Sequence, residues 1–394
     1  MRHILSAFAA MVLLGAALFA ADSEKPASPF AQWKNGPPSS PDYFPIAVWL
    51  QDPRNAKRYK DAGINLYVAL WDGPNEDQLK ALTAAGMPVL CNQNALGLKH
   101  KDDPIIVGWM HGDEPDNAQS LPGGKGYGPP ILPQKIVDDY KRVKEADPTR
   151  PVMLNLGQGV AFDDYIGRGV RCGKLEDYPE YMKGGDIVSF DIYPKTHEDK
   201  AVAGNLWFVP QGVSRLCKWG NNEKLVWNCI ECTHVGNANK LPTPHDVRAE
   251  VWMALIHGSR GIIYFSHEFQ PKFIEAGMFA HPELLKEITA INAQIKELAP
   301  VLNSATVKDG ASVTSSATDV PIDTLVKHNG GATYLFASAM RNGETKGTFT
   351  LAGAKGAAKV EVLGEKKSLD AKDGVFADTF NGYDIHIYKI EDVK

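Results

Sequence analysis

The chain has 394 residues, 44% of them apolar, with 42 lysines and arginines against 47 aspartates and glutamates and a formal charge of −5. That length allows a large core and more than one domain. A mildly acidic chain carries no footprint for nucleic acid and no attraction to anionic membranes, and it suits neutral partners such as sugars.

At the start, Met1, Arg2 and His3 precede a run of apolar and small residues from Ile4 to Phe19, which ends at Ala20, Ala21 and Asp22. A short positive region, an apolar centre and a small-residue exit predict a signal peptide over residues 1–20, removed on export to the periplasm or the medium. A polar, proline-containing tether is expected over 21–42. No later apolar run approaches the roughly 20 residues that a membrane helix needs, so no membrane association is expected after cleavage. The five cysteines, Cys91, Cys172, Cys217, Cys229 and Cys232, are too few and too scattered for a disulfide framework. Export would allow one or two bridges, and the odd count leaves a thiol over within one chain.

From Tyr43 to Asn303 one rhythm repeats, an apolar run rich in Val, Ile and Leu followed by a charged segment of helical spacing. The runs are 44–49, 65–70, 87–90, 105–109, 151–156, 186–190, 224–230 and 261–265, and helical stretches lie at 55–62, 76–85, 133–146, 246–257 and 282–302. Strands apolar along their whole length, alternating with amphipathic helices, indicate a parallel sheet buried on both faces. Eight such units over residues 43–303 predict a (β/α)8 TIM barrel, a fold of about 250 residues. Gly63 and Gly86 stand where helices end in a left-handed residue, and Thr243 ahead of Pro244 reads as a helix cap. The third unit has room for little helix between Ala95 and Asp103.

After Asn303 the pattern changes to short alternating strands rich in Ser, Thr, Gly and Val, at 332–338, 347–351, 359–363 and 383–388, with glycine turns at Gly343 and Gly374. These predict an antiparallel β-sandwich domain over 304–394. It shows no row of exposed aromatics, so a structural role is expected of it ahead of carbohydrate binding.

The active site of a βα barrel lies at the C-terminal ends of its strands, so carboxylates there have a functional prior that mid-helix ones lack. Glu114 ends the fourth run, between Asp113 and Pro115, and Glu231 ends the seventh. Pro115 is expected to hold Glu114 extended and keep it at the rim. Glu114 and Glu231 would face each other across one rim, as glycoside hydrolysis requires of two carboxylates. Glu268, after the eighth run, competes with Glu231 for the second place or binds a sugar hydroxyl. Other strand ends supply a sugar-binding shell: Trp49 and Gln51, Trp71 and Asp72, Asn92, Asn155, Asp191 and Tyr193, with His267 on the eighth. Aromatic faces stack on sugar rings while amides and carboxylates pair with hydroxyls.

The placement of Glu114 and Glu231 resembles the clan A glycoside hydrolases, barrels with an acid/base Glu ending strand four and a nucleophile Glu ending strand seven. The resemblance covers residues 43–303, and such enzymes often carry a C-terminal β-domain. It implies a secreted β-glycosidase acting on an oligo- or polysaccharide without a cofactor, with Glu114 as acid/base and Glu231 as nucleophile. Tyr193 resembles the strand-six tyrosine that supports that nucleophile. The implied course is a retaining double displacement, which needs the carboxyl groups about 5–5.5 Å apart. The chain departs from the pattern at Asp113, where the family usually has Asn, and at the eighth strand, where Tyr264, Phe265 and His267 stand in place of a Trp. Those departures motivate one alternative, a barrel that binds carbohydrate without turning it over; another is an inverting enzyme using Glu114 with a different base, such as Asp72 or Glu268.

Cys229 and Cys232 fall on a strand whose alternation sends them to opposite faces, and His234 alone does not complete a zinc set. No metal site is expected. No nucleotide fingerprint or serine elbow occurs.

Overall fold

Eight parallel strands close into a barrel in the computed structural model, which describes residues 28–391. They are β1 (Ile46–Trp49), β2 (Leu66–Val68), β3 (Val89–Asn92), β4 (Ile106–Met110), β5 (Val152–Leu156), β6 (Ile187–Phe190), β7 (Leu225–Val226 continued by Asn228–Glu231) and β8 (Ile262–Phe265). Neighbours in sequence are neighbours in the sheet, and β8 returns to β1 with Ile262 opposite Ile46. β7 is where the ring changes hands. Its first part bonds β6, Leu225 opposite Ile187, and its second bonds β8, Asn228 opposite Ile262. Between the parts, Trp227 turns its indole inward over Gly261, where a side chain would meet the ring at 2.6 Å.

Alternation sends Ala47, Trp49, Leu66, Val68, Leu90, Met153, Ile187, Cys229 and Ile263 into the barrel. Their neighbours Val48, Tyr67, Val89, Leu154, Val188 and Ile230 face the helices. Both faces are buried, which is why each strand reads as an unbroken apolar run. The helices are α1 (Ala56–Asp61), α2 (Glu76–Ala85), α3 (Ala95–Lys99), α4 (Pro133–Ala146), α5 (Tyr178–Tyr181), α6 (Phe208–Trp219), α7 (Pro244–Ile256) and α8 (Pro282–Leu302). α2 opens with a reciprocal cap between Asn75 and Gln78 and closes on Gly86 at φ 58°. α7 opens with the same device between Thr243 and Asp246, which satisfies two otherwise unpaired backbone donors. The third unit keeps a helix of only five residues.

The leader expected over 1–20 lies outside the described residues, as does the tether as far as residue 27. From Ser28 the expected tether is instead part of the core. Phe30 is 1% exposed and sits 6.4 Å from Trp227 and 6.3 Å from Tyr43, closing the end of the barrel where the strands begin. Composition concealed this, because two aromatics among polar residues leave no periodicity.

The C-terminal part is an antiparallel β-domain of eight strands in the order Ala311–Ser315, Thr345–Leu351, Val375–Phe380, Lys367–Lys372, Ala357–Val362, Ile385–Glu391, Ala332–Ala339, Ile322–Asn329. The first and last of these touch, so the sheet folds over a core of Leu335, Phe349, Val360, Phe376 and Tyr388. It packs on the barrel through Phe336, stacked 5.8 Å from Trp252 of α7, and through Lys327, whose Nζ donates to the Ser304 carbonyl at 2.6 Å. All five cysteines are unpaired. Among the described residues no helix is long and apolar enough to cross a membrane.

Candidate active site

The chain leaves β4 through His111, Gly112 and Asp113, and at Glu114 the backbone turns left-handed, φ 42°. The extended conformation expected ahead of Pro115 is not adopted. Two bonds override that preference, Glu114 N–H donating to the Asn155 carbonyl at 3.2 Å and Asn117 N–H donating to the Glu114 carbonyl at 3.1 Å. A non-glycine residue held there costs about 1–3 kcal/mol and persists only where its surroundings over-determine it. The turn places the Glu114 carboxyl over the ends of β5 and β6, where the Asn117 amide donates to it at 2.7 Å.

Asp191 comes from the other side, just past β6, its N–H bonded to the Leu156 carbonyl at 3.2 Å. Its carboxyl lies close enough to Glu114 for the charge of one to act on the other, and its Oδ1 and the nearby Tyr193 hydroxyl are buried without a hydrogen-bond partner. Asn155, at the end of β5, accepts from Ser189 at 2.6 Å and donates to Asp113 at 2.9 Å. Three adjacent strand ends thus gather Asp113, Glu114 and Asp191 around one amide.

Neighbouring carboxyls resist ionising together. Burial pushes Glu114 well above the usual carboxylate range, and the Asp191 charge raises it further. Burial raises Asp191 too, against lowering by its polar neighbours Glu114, Tyr193 and Asn155. Glu114, raised the more strongly, is the better placed of the two to keep a proton. Burial within the cleft and then Asp191 raise Asp113 as well, while water at the rim and the Asn155 amide limit the rise. Asp116 is fully buried and accepts from Gly157 N–H at 2.8 Å and the Tyr178 hydroxyl at 3.0 Å, tying the loop after β4 to the loop after β5.

Glu231 is not presented to this cleft. It has no exposed surface, and its oxygens accept from Lys195 N–H at 2.5 Å, Thr196 N–H at 3.0 Å and the Thr196 hydroxyl at 2.7 Å. Its carboxyl neighbour is Glu250 of α7. Glu231, expected to face Glu114, is thus enclosed by Lys195 and Thr196 with Glu250 near it, and the carboxylate near Glu114 is Asp191. Burial raises Glu231 to about 7, and burial plus the Glu231 charge push Glu250 well above the usual carboxylate range. Glu268 is likewise buried and paired, with His281.

Of the expected sugar-binding shell, Asp113, Asn155 and Tyr193 join the acid cluster. Trp71 stands 45% exposed at the rim, its indole N–H donating to Glu275 at 2.7 Å, with Asp72 exposed beside it. His267 is buried behind it, edge-on to Trp71 and stacked with the exposed rings of Phe269 and Phe273, which together form an aromatic wall. Burial lowers His267 to about 4, so it is neutral. Gln51 is a buried strut that accepts from the Tyr59 hydroxyl at 2.6 Å and donates to the Glu275 carbonyl at 3.0 Å. Trp49 lies inside the barrel, and Asn92 is half-buried at the end of β3. Asp191 carried a strand-end signal in the sequence but none marking it as the partner of Glu114. Glu250, in the middle of a helix, carried no signal at all.

No protein-family model matches the sequence, and no curated protein is similar to it. Many solved structures share the fold. AmyP, solved in complex with maltose, matches with a TM-score of 0.52 at 8% identity over 89% of this chain and 96% of that one. A variant of AmyP with maltotriose matches with a TM-score of 0.52 at 8% identity over 90% and 98%. An endoxylanase of glycoside hydrolase family 30 from Clostridium papyrosolvens matches with a TM-score of 0.47 at 9% identity over 94% and 98%. At such identities the likeness is one of fold, the (β/α)8 barrel with a β-domain found among glycosidases.

Proposed function

We propose that the chain is a glycoside hydrolase in which Glu114 donates the proton and Asp191 is the second carboxylate. The observation that carries this is that their backbone N–H groups bond to consecutive carbonyls of β5, those of Asn155 and Leu156, which brings two carboxyls within electrostatic reach, Glu114 being raised by burial and then by the Asp191 charge. Glu114 would protonate the glycosidic oxygen as Asp191 attacks the anomeric carbon, and Glu114 would then take a proton from the water that releases the sugar. This is a retaining course, which needs carboxyl groups about 5–5.5 Å apart, whereas inverting pairs stand about 6.5–9.5 Å apart to leave room for a water. Trp71, Phe269 and Phe273 offer apolar faces for sugar rings.

The substrate proposed is a β-linked oligo- or polysaccharide, on the strength of a glutamate ending strand four. The predicted leader places the reaction in the periplasm or the medium. The test is hydrolysis of aryl α- and β-glycosides and a polysaccharide panel by the purified chain, with the first-formed anomer followed by NMR. Release of sugar with the β-configuration retained, lost in Glu114→Gln and Asp191→Asn, supports the reading. Undiminished turnover in both variants would overturn the assignment, and saturable binding without hydrolysis across the panel would make the chain a carbohydrate-binding barrel.

A further inference from the structure

The loops after β7 and β8 and the start of α8 bring together His234, Glu268 and His281, one potential ligand atom of each lying within 4.8 Å of the others. His234 Nδ1 is 2.8 Å from the Lys240 carbonyl and 3.2 Å from that of Asn237. A carbonyl only accepts, so Nδ1 carries the hydrogen and Nε2 is left with a lone pair. A backbone carbonyl fixing one imidazole nitrogen while the other binds is the usual outer arrangement around a metal-bound histidine. His281 Nε2 meets a carboxylate oxygen of Glu268, whose side chain is buried, and the two imidazoles stand 5.6 Å apart at 68°.

An ion pair between Glu268 and His281 explains those two residues but not the third. His234 is held by more than its ring. Its carbonyl accepts from Phe269 N–H at 3.1 Å and Gln270 N–H at 3.2 Å, and Glu268 exchanges backbone bonds of 2.9 and 2.8 Å with Ile274. Three donors on three separately anchored segments are therefore fixed around one point. In a tetrahedral site with bonds of about 2.1 Å, ligand atoms stand about 3.4 Å apart, so from a set within 4.8 Å Glu268 and His281 would part slightly as His234 closes in.

We propose that His234, Glu268 and His281 bind a divalent transition metal of the zinc class, with water completing the coordination. Two imidazoles and one carboxylate favour such an ion over calcium or magnesium, which take oxygen ligands. The metal would clip the loop after β7 to the loop after β8 and to the head of α8. Because Phe269 and Phe273 lie in the clipped loop, it would fix the aromatic wall and take no part in the bond cleavage. The sequence set His234 aside for want of further ligands, since His281 is too distant along the chain to form a motif with it.

The experiment strips the full chain with a chelator and titrates Zn2+ by calorimetry, with Co2+ absorption as a probe of the ligands. The expected result is one Zn2+ bound per chain, a Tm that rises on binding, and a Co2+ spectrum of a four- or five-coordinate site. His234→Ala, His281→Ala and Glu268→Gln should each weaken binding on the order of 100-fold, the upper end of what changes to groups behind a ligand cause. His245→Ala, a histidine paired with Asp384 elsewhere, should bind as the parent does. Should His281→Ala fail to fold, His234→Gln removes a ligand away from the helix start. Equal Zn2+ affinity in the parent and the ligand variants, or a Tm indifferent to Zn2+, would overturn the proposal.

Discussion

Glu114 and Asp191 hang on consecutive carbonyls of β5, Glu114 N–H donating to that of Asn155 at 3.2 Å and Asp191 N–H to that of Leu156 at 3.2 Å, and this brings their carboxyls within electrostatic reach of each other. An acid and a carboxylate are thus set before any substrate arrives. What separates their roles is the size of the shift, because burial and the Asp191 charge push Glu114 well above its ordinary range while polar neighbours hold Asp191 back.

The pH profile of kcat/KM should be bell-shaped. On the alkaline side it falls as Glu114, raised well above the ordinary range, gives up its proton, and on the acid side it falls as Asp191 takes one. Glu114→Gln should lower kcat by about 10²- to 10⁴-fold for alkyl glycosides, lose less on aryl glycosides with good leaving groups, and flatten the alkaline limb. An alkaline limb that survives in Glu114→Gln would mean that another group is the acid.

The sealed pair Glu231 and Glu250 makes a prediction about stability. The unfolded carboxyl titrates near its ordinary 4.5, whereas burial raises folded Glu231 to about 7. Between those values the native chain binds more protons than the unfolded one, so stability falls as pH rises through this window. Glu250→Gln keeps a donor towards Glu231 and removes a titrating group, so urea unfolding at pH 5 and pH 8 should show a smaller loss than in the parent. Glu231→Gln turns an amide towards the N–H groups of Lys195 and Thr196 and should cost about 1–3 kcal/mol.

Trp71→Ala removes a ring face from the rim without touching the acid pair. The expected loss is about 1 kcal/mol of substrate binding, roughly fivefold in KM, with kcat nearly unchanged. A fall in kcat that exceeds the rise in KM would place Trp71 closer to the reacting bond than the aromatic wall implies.

Phe30→Ala should destabilise the barrel by about 3–5 kcal/mol, the usual cost of truncating a fully buried phenylalanine. A lower urea midpoint with an unchanged slope is the signature. A variant as stable as the parent would show that the segment before β1 covers the barrel without sealing it.

The eight strands could be read from the sequence because burial on both faces imposes long apolar runs, and α2 and α7 could be read from their caps. Glu114 was legible as a carboxylate at a strand end. Its backbone was not, because the preference imposed by Pro115 is outweighed by the bonds of Asn155 and Asn117. Nor could strand-end position tell Asp191 from Glu231. Asp191 is half-buried whereas Lys195 and Thr196 fold back over a fully buried Glu231, and that difference lies in the path of one loop through space. The base of the barrel was misread for a related reason, since Phe30 and Trp33 declare themselves only by what they cover.

The strand Ile385–Glu391 follows every other described strand in sequence, yet it lies inside the C-terminal sheet, bonded to Ala357–Val362 on one side and to Ala332–Ala339 on the other. Order in the sequence and order in the sheet therefore differ. Until this strand emerges, the strands made before it form two groups with bare edges, one of them the pair that leans on α7. A chain shortened by a few residues would lose the link between those groups, and its unpaired edges would be open to pairing with other copies.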